Sequence, residues 1–319
     1  MALRNISYDG VRAVAIIGII LCHICYGLNG MSWLGAYLGG TFNCVFFSMS
    51  AILFGEKISK SNNKIKLIPF MRPRLYKLAA SLWPMLTIAL ILFLICNIPF
   101  SIKAALMNFC FLGWFAKLPG LAHLWFVTMI IICYILFVGL ANFRKNISAY
   151  WLVPMFIITL ICSYVTSFYN MPGYLFLILF YCSVLFLYGR HILEWAKSIS
   201  YWVLTSLTWG INGITIALFY LGKLQNGMLI MYYITAICGV LILLWFYRTF
   251  NIYRPGVSLL FLSGISYQLY LVHHPFCFGK FSLFRLTGEY WYLGILLIFM
   301  LSTLLAILLK RIADLLYHH

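Results

Sequence analysis

The sequence predicts an all-α membrane protein, a polytopic bundle of about ten transmembrane helices with both termini in the cytoplasm. Composition is the first reason: 65% of the 319 residues are hydrophobic and 8% are charged, whereas a soluble domain carries about 25% charged residues. The mean hydropathy of +1.01 agrees with this. The second reason is that long apolar runs alternate with short loops, and the third is that the basic residues fall in those loops. We therefore expect one integral membrane domain over residues 1–319.

Ten apolar runs are long enough to cross a bilayer, since a membrane helix needs about 20 mostly apolar residues. The expected spans are residues 13–29, 36–54, 79–98, 121–141, 150–168, 173–189, 200–221, 228–247, 258–278 and 290–310. Residues 102–118 are also apolar but contain Lys103, Gly113 and Lys117, so we expect an interfacial or re-entrant piece there. No internal repeat is visible, so the sequence does not favour an inverted-repeat transporter.

The distribution of lysine and arginine supports an even number of spans. With the N-terminus in the cytoplasm, 17 of the 22 basic residues fall on the cytoplasmic side and 5 outside. An odd number of spans would blur this asymmetry, because cytoplasmic loops carry the excess of basic residues. We therefore expect a multi-pass protein of the plasma (inner) membrane. The net charge of +17 reflects this topology and contact with membrane lipid, and we expect no binding to nucleic acid.

The 10 cysteines mostly lie inside apolar runs, where they are typical small membrane hydrophobes rather than a disulfide framework. Cys22 and Cys25 flank His23, which raises the question of a metal. At about 100° per residue on a helix, Cys22 and His23 point to different sides. The sequence therefore predicts no metal site.

Ionisable residues inside apolar spans are the main candidates for a functional site. His23, His123 and the pair His273–His274 all fall in the outer half of their predicted spans, so one cavity can hold them. Arg12 lies at the inner end of the first span, eleven residues before His23. Eleven steps of ~100° end ~20° past three full turns, so the two share one helix face, ~16 Å apart along the axis. This suits a long ligand with an anionic head and a reactive group at depth, which is the shape of acyl-coenzyme A.

Structural roles remain open for the same residues. A histidine within a span also serves as a hydrogen-bond donor between helices. Arg12 at a membrane boundary can extend its charged end to the lipid headgroups. Asp9 lies three residues before Arg12, at the spacing of a helical ion pair.

Two further segments carry polar side chains. Residues 55–78 hold seven basic residues against Glu56, which indicates a cytoplasmic loop touching anionic lipid. Arg72 and Arg74, immediately before the third span, also suit a phosphate site. Residues 262–276 place hydroxyls and imidazoles in one span: Ser266, Tyr267, Tyr270, His273 and His274. This pattern also fits a polar seam between helices.

Taken together, these segments resemble the acyltransferase-3 family of integral membrane acyltransferases. The segments that carry the resemblance are YDGVRAVAIIGIILCH (8–23), FFSMSAILF (46–54), FMRPRLYKLAASLWP (70–84), HLWFVTMIIICYILF (123–137) and SYQLYLVHHPF (266–276). The first is similar to the family's arginine and histidine with ten residues between them. The others resemble its Phe-Phe-x-x-Ser-Gly segment, its arginine-rich start of the third span, its Leu-Trp-Phe helix and its Ser-Tyr-x-x-Tyr-Leu-x-His-x-Pro motif.

The resemblance implies transfer of an acyl group, often acetyl, from cytoplasmic acyl-coenzyme A to a hydroxyl of an envelope carbohydrate or glycolipid. It implies no permanently bound cofactor, because acyl-coenzyme A is a substrate. By position, His23 is the expected catalytic histidine and Arg12 its motif partner. The expected donor- and substrate-binding residues are Arg72, Arg74, Ser266, Tyr267, Tyr270 and His273. Further candidates are Asp9, Ser50, His123 and Trp125.

The expected mechanism uses His23 as a general base. Burial keeps an imidazole neutral, and a neutral imidazole takes the proton of an attacking hydroxyl. A tyrosine or arginine nearby would stabilise the oxyanion, and a covalent acyl-histidine is the less favoured route. A transporter or flippase of a lipid-linked or small polar substrate is the competing function, since it also places ionisable residues at depth.

Overall fold

The protein is described by a computed structural model. It describes residues 5–59, 64–143, 149–168, 174–224 and 229–318. The described residues are 85% helical and contain no strand. The predicted all-α polytopic bundle is therefore confirmed.

Among the described residues, eight helices are long and apolar enough to cross a membrane. They are α1 (Ile6–Gly27), α2 (Ser32–Ser59), α3 (Leu67–Ile95), α5 (Trp125–Phe143), α7 (Tyr174–Ser198), α8 (Tyr201–Tyr220), α9 (Leu229–Ile252) and α14 (Trp291–His318). Each corresponds to one predicted span.

The other two predicted spans take different forms. Residues 150–168 contain α6 (Leu152–Phe168), an apolar helix of 17 residues. Residues 258–278 are not one helix but three short ones: α10 (Val257–Gly264), α11 (Ser266–Val272) and α12 (His274–Cys277). The total of ten spans and the cytoplasmic placement of both termini stay predictions. Arg4, Lys60, Arg144 and Lys145, all used in that topology, lie outside the described residues, as do the predicted span starts 173 and 228.

The segment 102–118 contains α4 (Ile102–Phe109), which has eight residues. At ~1.5 Å per residue it is far too short to cross a bilayer, as expected. Ser101 caps its N-terminus by accepting a hydrogen bond from the backbone N–H of Ala104. Buried Asn108 donates to the carbonyls of Ala104 and Ala116, both at 2.8 Å. Trp83 of α3 donates to the carbonyl of Phe109, which fixes α4 against α3.

The expected loop 55–78 is wrong in its bounds. Helix α2 continues to Ser59 and α3 begins at Leu67, so most of this segment is helical. Hydropathy marks where a chain leaves the hydrocarbon layer, whereas a helix continues as long as its backbone hydrogen bonds are made. Pro69 does not prevent this start, because the first turn of a helix does not use its own backbone N–H groups.

The described chain divides into two compact units. Unit 1 comprises residues 1–22, 33–66 and 133–263, and unit 2 comprises residues 23–32, 67–132 and 264–319. One domain over residues 1–319 stays a prediction. The core of unit 1 is held by stacked rings and by polar pairs between helices. Phe137 stacks on Phe186 at 5.2 Å, and the Tyr37 hydroxyl donates to Oδ1 of Asn212 at 2.6 Å.

Unit 2 contains the end of α1, all of α3 and α4, the start of α5, and the chain from α11 to α14, including α13 (Leu283–Thr287). Helix α11 packs against α3 and α14. Two side chains of α11 bond to α3: Tyr267 donates to the carbonyl of Leu78 at 3.3 Å, and Gln268 donates to the Ser81 hydroxyl at 2.9 Å. These bonds form the polar seam that the sequence left open for residues 262–276.

Candidate active site

The break between α11 and α12 follows from one proline. In a continuous helix the backbone N–H of residue 275 would donate to the carbonyl of Leu271, but Pro275 has no N–H. The carbonyl of Leu271 instead accepts a hydrogen bond from Nε2 of His123, at 3.3 Å. Irregular backbone at membrane depth is tolerated only where protein groups satisfy it. His123 is therefore placed by the backbone group that Pro275 leaves unsatisfied.

Two more bonds fix the turn before α5 against this break. His274 donates from Nδ1 to the carbonyl of Gly120 at 2.7 Å, and the Tyr270 hydroxyl donates to the carbonyl of His123. Gly120 adopts φ +67°, a conformation that glycine reaches without steric cost. Tyr270 and His274 thus have structural bonds that hold His123 in place.

The four histidines of the predicted spans meet within unit 2, and we call them the histidine cluster: His23, His123, His273 and His274. His23 comes from the last turns of α1, and its Nδ1 lies 2.9 Å from Nε2 of His273. The His23 ring lies 4.6 Å from that of His274, centroid to centroid. His123 stacks on His274 at 4.5 Å with 15° between the ring planes. Residues from three distant parts of the sequence therefore form one imidazole-lined site.

Burial distinguishes the members of the cluster. His273 is 0% exposed, His123 is 3% exposed and His274 is 8% exposed, whereas His23 is only half-buried. The Nδ1 atom of His123 is buried and has no hydrogen-bond partner within the described residues. Phe278 closes the cluster beside His274, with ring centroids 4.9 Å apart. His23 is thus the imidazole that a substrate reaches most easily.

Within the described part of unit 2, no carboxylate accompanies the cluster. The only acidic residues in the sequence of unit 2 are Glu289 and Asp314. Glu289 is exposed, and Asp314 is paired with Lys310 at 3.1 Å. Within the described ranges, no group of three or more histidine, cysteine or acidic residues has an arrangement that holds a metal ion. Because burial disfavours the charged form, the surroundings of His123, His273 and His274 favour neutral imidazoles.

The other predicted residues on α11 and at the start of α5 are not members of the histidine cluster. Ser266 is buried on α11, and the Tyr267 hydroxyl bonds to α3 as described above. Trp125 begins α5 and packs edge-on against Trp114, with centroids 5.6 Å apart. These residues support the elements that carry the histidines.

Arg72 and Arg74 lie on α3 rather than in a loop. Two helical steps turn ~200°, so their side chains leave opposite sides of the helix. Arg72 is exposed. Arg74 lies over the ring of Phe70 at 3.6 Å and donates to the Phe70 carbonyl. The helix therefore does not place the two guanidinium groups side by side.

Arg12 and Asp9 lie in unit 1 and form the ion pair that their spacing predicted. Nη1 of Arg12 donates to Oδ1 of Asp9 at 3.2 Å, and the Arg12 side chain is 34% exposed. The Ser263 hydroxyl donates to the same carboxylate oxygen at 3.1 Å. Asp9 is buried, so this carboxylate fixes a partly exposed cation. Ser50 also belongs to unit 1, on α2, and is half-buried.

The sequence analysis grouped His274 with the other histidines of the spans but did not count it among the expected donor- and substrate-binding residues. Its signal was present, because it directly follows His273 in the same motif. Cys22 and Cys25, which flank His23 in the sequence, are buried and form no disulfide.

A comparison with protein families identifies the chain. A family model described as an acyltransferase domain, Acyl_transf_3, matches residues 5–311. No curated protein and no solved structure matches the chain. The family match covers all four histidines, Arg12, and the helices that carry them. The chain therefore belongs to the acyltransferase-3 family and is a multi-pass membrane acyltransferase.

Proposed function

We propose that this acyltransferase moves an acyl group, acetyl in the simplest case, from cytoplasmic acyl-coenzyme A to a hydroxyl of a cell-envelope carbohydrate or glycolipid. It works in the plasma (inner) membrane. The observation that carries the proposal is the imidazole of His23. This ring is half-buried and bonds through Nδ1 to the fully buried His273. A neutral imidazole that is partly accessible and is held by a buried residue can act as the general base when a hydroxyl attacks.

The proposed reaction has two steps. His23 takes the proton of the acceptor hydroxyl while the hydroxyl oxygen forms a bond to the thioester carbonyl carbon. The carbon–sulfur bond then breaks, and the coenzyme A thiolate leaves with the proton that His23 held. The products are the ester and coenzyme A thiol, and His23 returns to its neutral form. General-base assistance of this kind contributes about 10²–10⁴-fold to the rate.

The donor phosphates are assigned to the arginines. Arg12 is fixed by Asp9 yet keeps about a third of its side chain exposed, so a phosphate can approach it. Arg72 is exposed on the first turns of α3. Arg74 lies on the opposite side of that helix, so we assign these two to separate contacts rather than one clamp. Charge-assisted hydrogen bonds from guanidinium groups are suited to phosphate.

The test is transfer of label from radiolabelled acetyl-coenzyme A to candidate glycans by the purified protein in lipid. We expect wild-type protein to label a glycan and His23→Ala to reduce transfer at least ~100-fold. His191→Ala is the matched control, because His191 is 76% exposed on α7 and outside the cluster. Near-normal transfer by His23→Ala would show the mechanism to be wrong. Movement of a substrate across the membrane without consumption of acetyl-coenzyme A would indicate a transporter or flippase instead.

A further inference from the structure

The hydrogen bonds of His273 determine which of its ring nitrogens carries the proton. Its Nδ1 lies 2.9 Å from the carbonyl oxygen of Leu269. A carbonyl oxygen only accepts hydrogen bonds, so Nδ1 of His273 must carry the hydrogen. The opposite tautomer would bring two lone pairs together in a site where His273 is 0% exposed. Because the ring is neutral, its Nε2 is then an acceptor.

The same argument extends to His23. Nε2 of His273 lies 2.9 Å from Nδ1 of His23, and an accepting nitrogen requires a donor opposite. Nδ1 of His23 therefore carries its hydrogen. In a neutral imidazole one nitrogen donates and the other accepts, so Nε2 of His23 carries the lone pair. These hydrogen bonds link the Leu269 carbonyl to His273 and His273 to His23, and they leave the lone pair of His23 on Nε2.

We propose that His273 is a positioning residue that holds His23 in the Nδ1–H tautomer and thereby makes Nε2 of His23 the atom that accepts the hydroxyl proton. The inference deepens the proposed acyl transfer and rests on it. In enzymes with a carboxylate behind the catalytic histidine, the carboxylate fixes the tautomer. Here the acidic residues of unit 2 are exposed or paired elsewhere, and a neutral imidazole has this role.

The pair also accommodates the proton that the reaction releases. When His23 takes a proton at Nε2, its Nδ1–H donates more strongly to His273, because bonds from a charged donor are stronger. If that hydrogen passes to Nε2 of His273, both nitrogens of His273 are donors, one to Leu269 and one to His23. Both nitrogens of His273, and Nδ1 of His23, then keep a partner in both protonation states.

The spectroscopic test reads the tautomer directly. Wild-type protein labelled with ¹⁵N-histidine is placed in lipid bilayers, and His23→Ala identifies the His23 signals by their loss. Protonated and bare ring nitrogens resonate far apart, so a solid-state NMR spectrum assigns the hydrogen. We expect Nδ1–H and a bare Nε2 on His23. A wild-type spectrum with the hydrogen on Nε2 of His23 would overturn the proposal, whatever the protein does to acetyl-coenzyme A.

The kinetic test separates positioning from packing. His273→Phe keeps a ring without nitrogens, whereas His273→Gln places an accepting oxygen close to the position of Nε2. With acetyl-coenzyme A and the glycan that wild type labels best, we expect His273→Phe to lower kcat at least ~100-fold with KM for acetyl-coenzyme A within about twofold. His273→Gln should recover at least tenfold of that loss. His191→Gln is the control variant.

Two kinetic outcomes count against the proposal. Equal losses in the phenylalanine and glutamine variants would show that His273 only fills space. A raised KM with unchanged kcat would assign His273 to donor binding. If wild type neither consumes acetyl-coenzyme A nor labels a glycan, the proposed function fails, while the NMR spectrum still decides the tautomer.

Discussion

The carbonyl of Leu271 provides the sharpest test of how the site is built. This carbonyl accepts a hydrogen bond from Nε2 of His123 because Pro275 cannot supply the usual backbone donor. We expect His123→Phe to destabilise the protein mainly by leaving this carbonyl without a partner. Pro275→Ala should repair the loss, since alanine at position 275 restores a backbone N–H one turn after Leu271.

The magnitude follows from the geometry of the bond. A buried acceptor left unsatisfied costs about 1–3 kcal/mol, and hydrogen bonds between membrane helices average nearer 0.6 kcal/mol. At 3.3 Å the bond is longer than usual, so we expect ~1 kcal/mol. Phenylalanine keeps a ring against His274, where the stacked centroids lie 4.5 Å apart. In the Pro275→Ala background the cost of His123→Phe should fall below ~0.5 kcal/mol.

The assay is reversible unfolding of wild type, both single variants and the double variant in lipid–detergent micelles. The coupling is read as the difference between the double variant and the sum of the singles. His191→Phe, measured with and without Pro275→Ala, is the control and should show no coupling. Additive free energies for His123→Phe and Pro275→Ala would refute the explanation of the break.

Two further predictions concern packing and the donor site. A Cβ at Gly27 would lie 2.8 Å from the ring of Phe284 and 3.2 Å from the carbonyl of Cys277, so Gly27→Ala should lower the free energy of unfolding by ~1–3 kcal/mol. Gly139→Ala should instead raise it by up to ~1 kcal/mol, because among the described residues nothing beyond its own helix backbone and chain neighbours lies within 4 Å of the added Cβ; equal effects of the two in the same unfolding assay would contradict this. Arg12→Gln should raise KM for acetyl-coenzyme A at least ~10-fold, the loss of one charge-assisted bond, with little change in kcat, and an unchanged KM would remove Arg12 from the donor site.

The sequence was sufficient for eight of the ten predicted membrane helices and for the meeting of the histidines. The length and hydropathy of a segment almost completely determine whether it forms a membrane span, because in lipid each crossing segment must make its own backbone hydrogen bonds. His23, His123 and His273 lie at similar depths in their predicted spans, so packing of those segments brings them together. Their catalytic roles stay predictions, since no observation tests them yet.

The broken segment 258–278 could only partly be foreseen. Its hydropathy continues across Gly264 and Pro275, so a sliding window reads one span. Pro275 was visible, and helical spacing alone shows that the carbonyl of Leu271 loses its donor. That His123 is the replacement donor depends on a contact between residues 148 positions apart, which no local pattern encodes.

For Arg72 and Arg74 the difficulty lies in the local structure rather than in a distant contact. Their spacing of two residues suits a phosphate clamp in an extended loop, where neighbouring side chains can converge. In a helix the same spacing turns them apart. The function of such a pair thus depends on where the helix begins, and boundaries are the part of a sequence prediction with the largest error.

The acidic residues of unit 2 are exposed or paired outside the histidine cluster, and this has a consequence for the enzyme at rest. A charged group buried in the membrane would draw water or a small anion inward to solvate it. Neutral imidazoles carry no net charge and exert no such pull. In the proposed reaction, the departing thiolate would then be the counter-ion for the protonated histidine, and the two would neutralise each other as coenzyme A leaves. Substrate turnover, rather than a fixed residue of the protein, would reset the charge of the site.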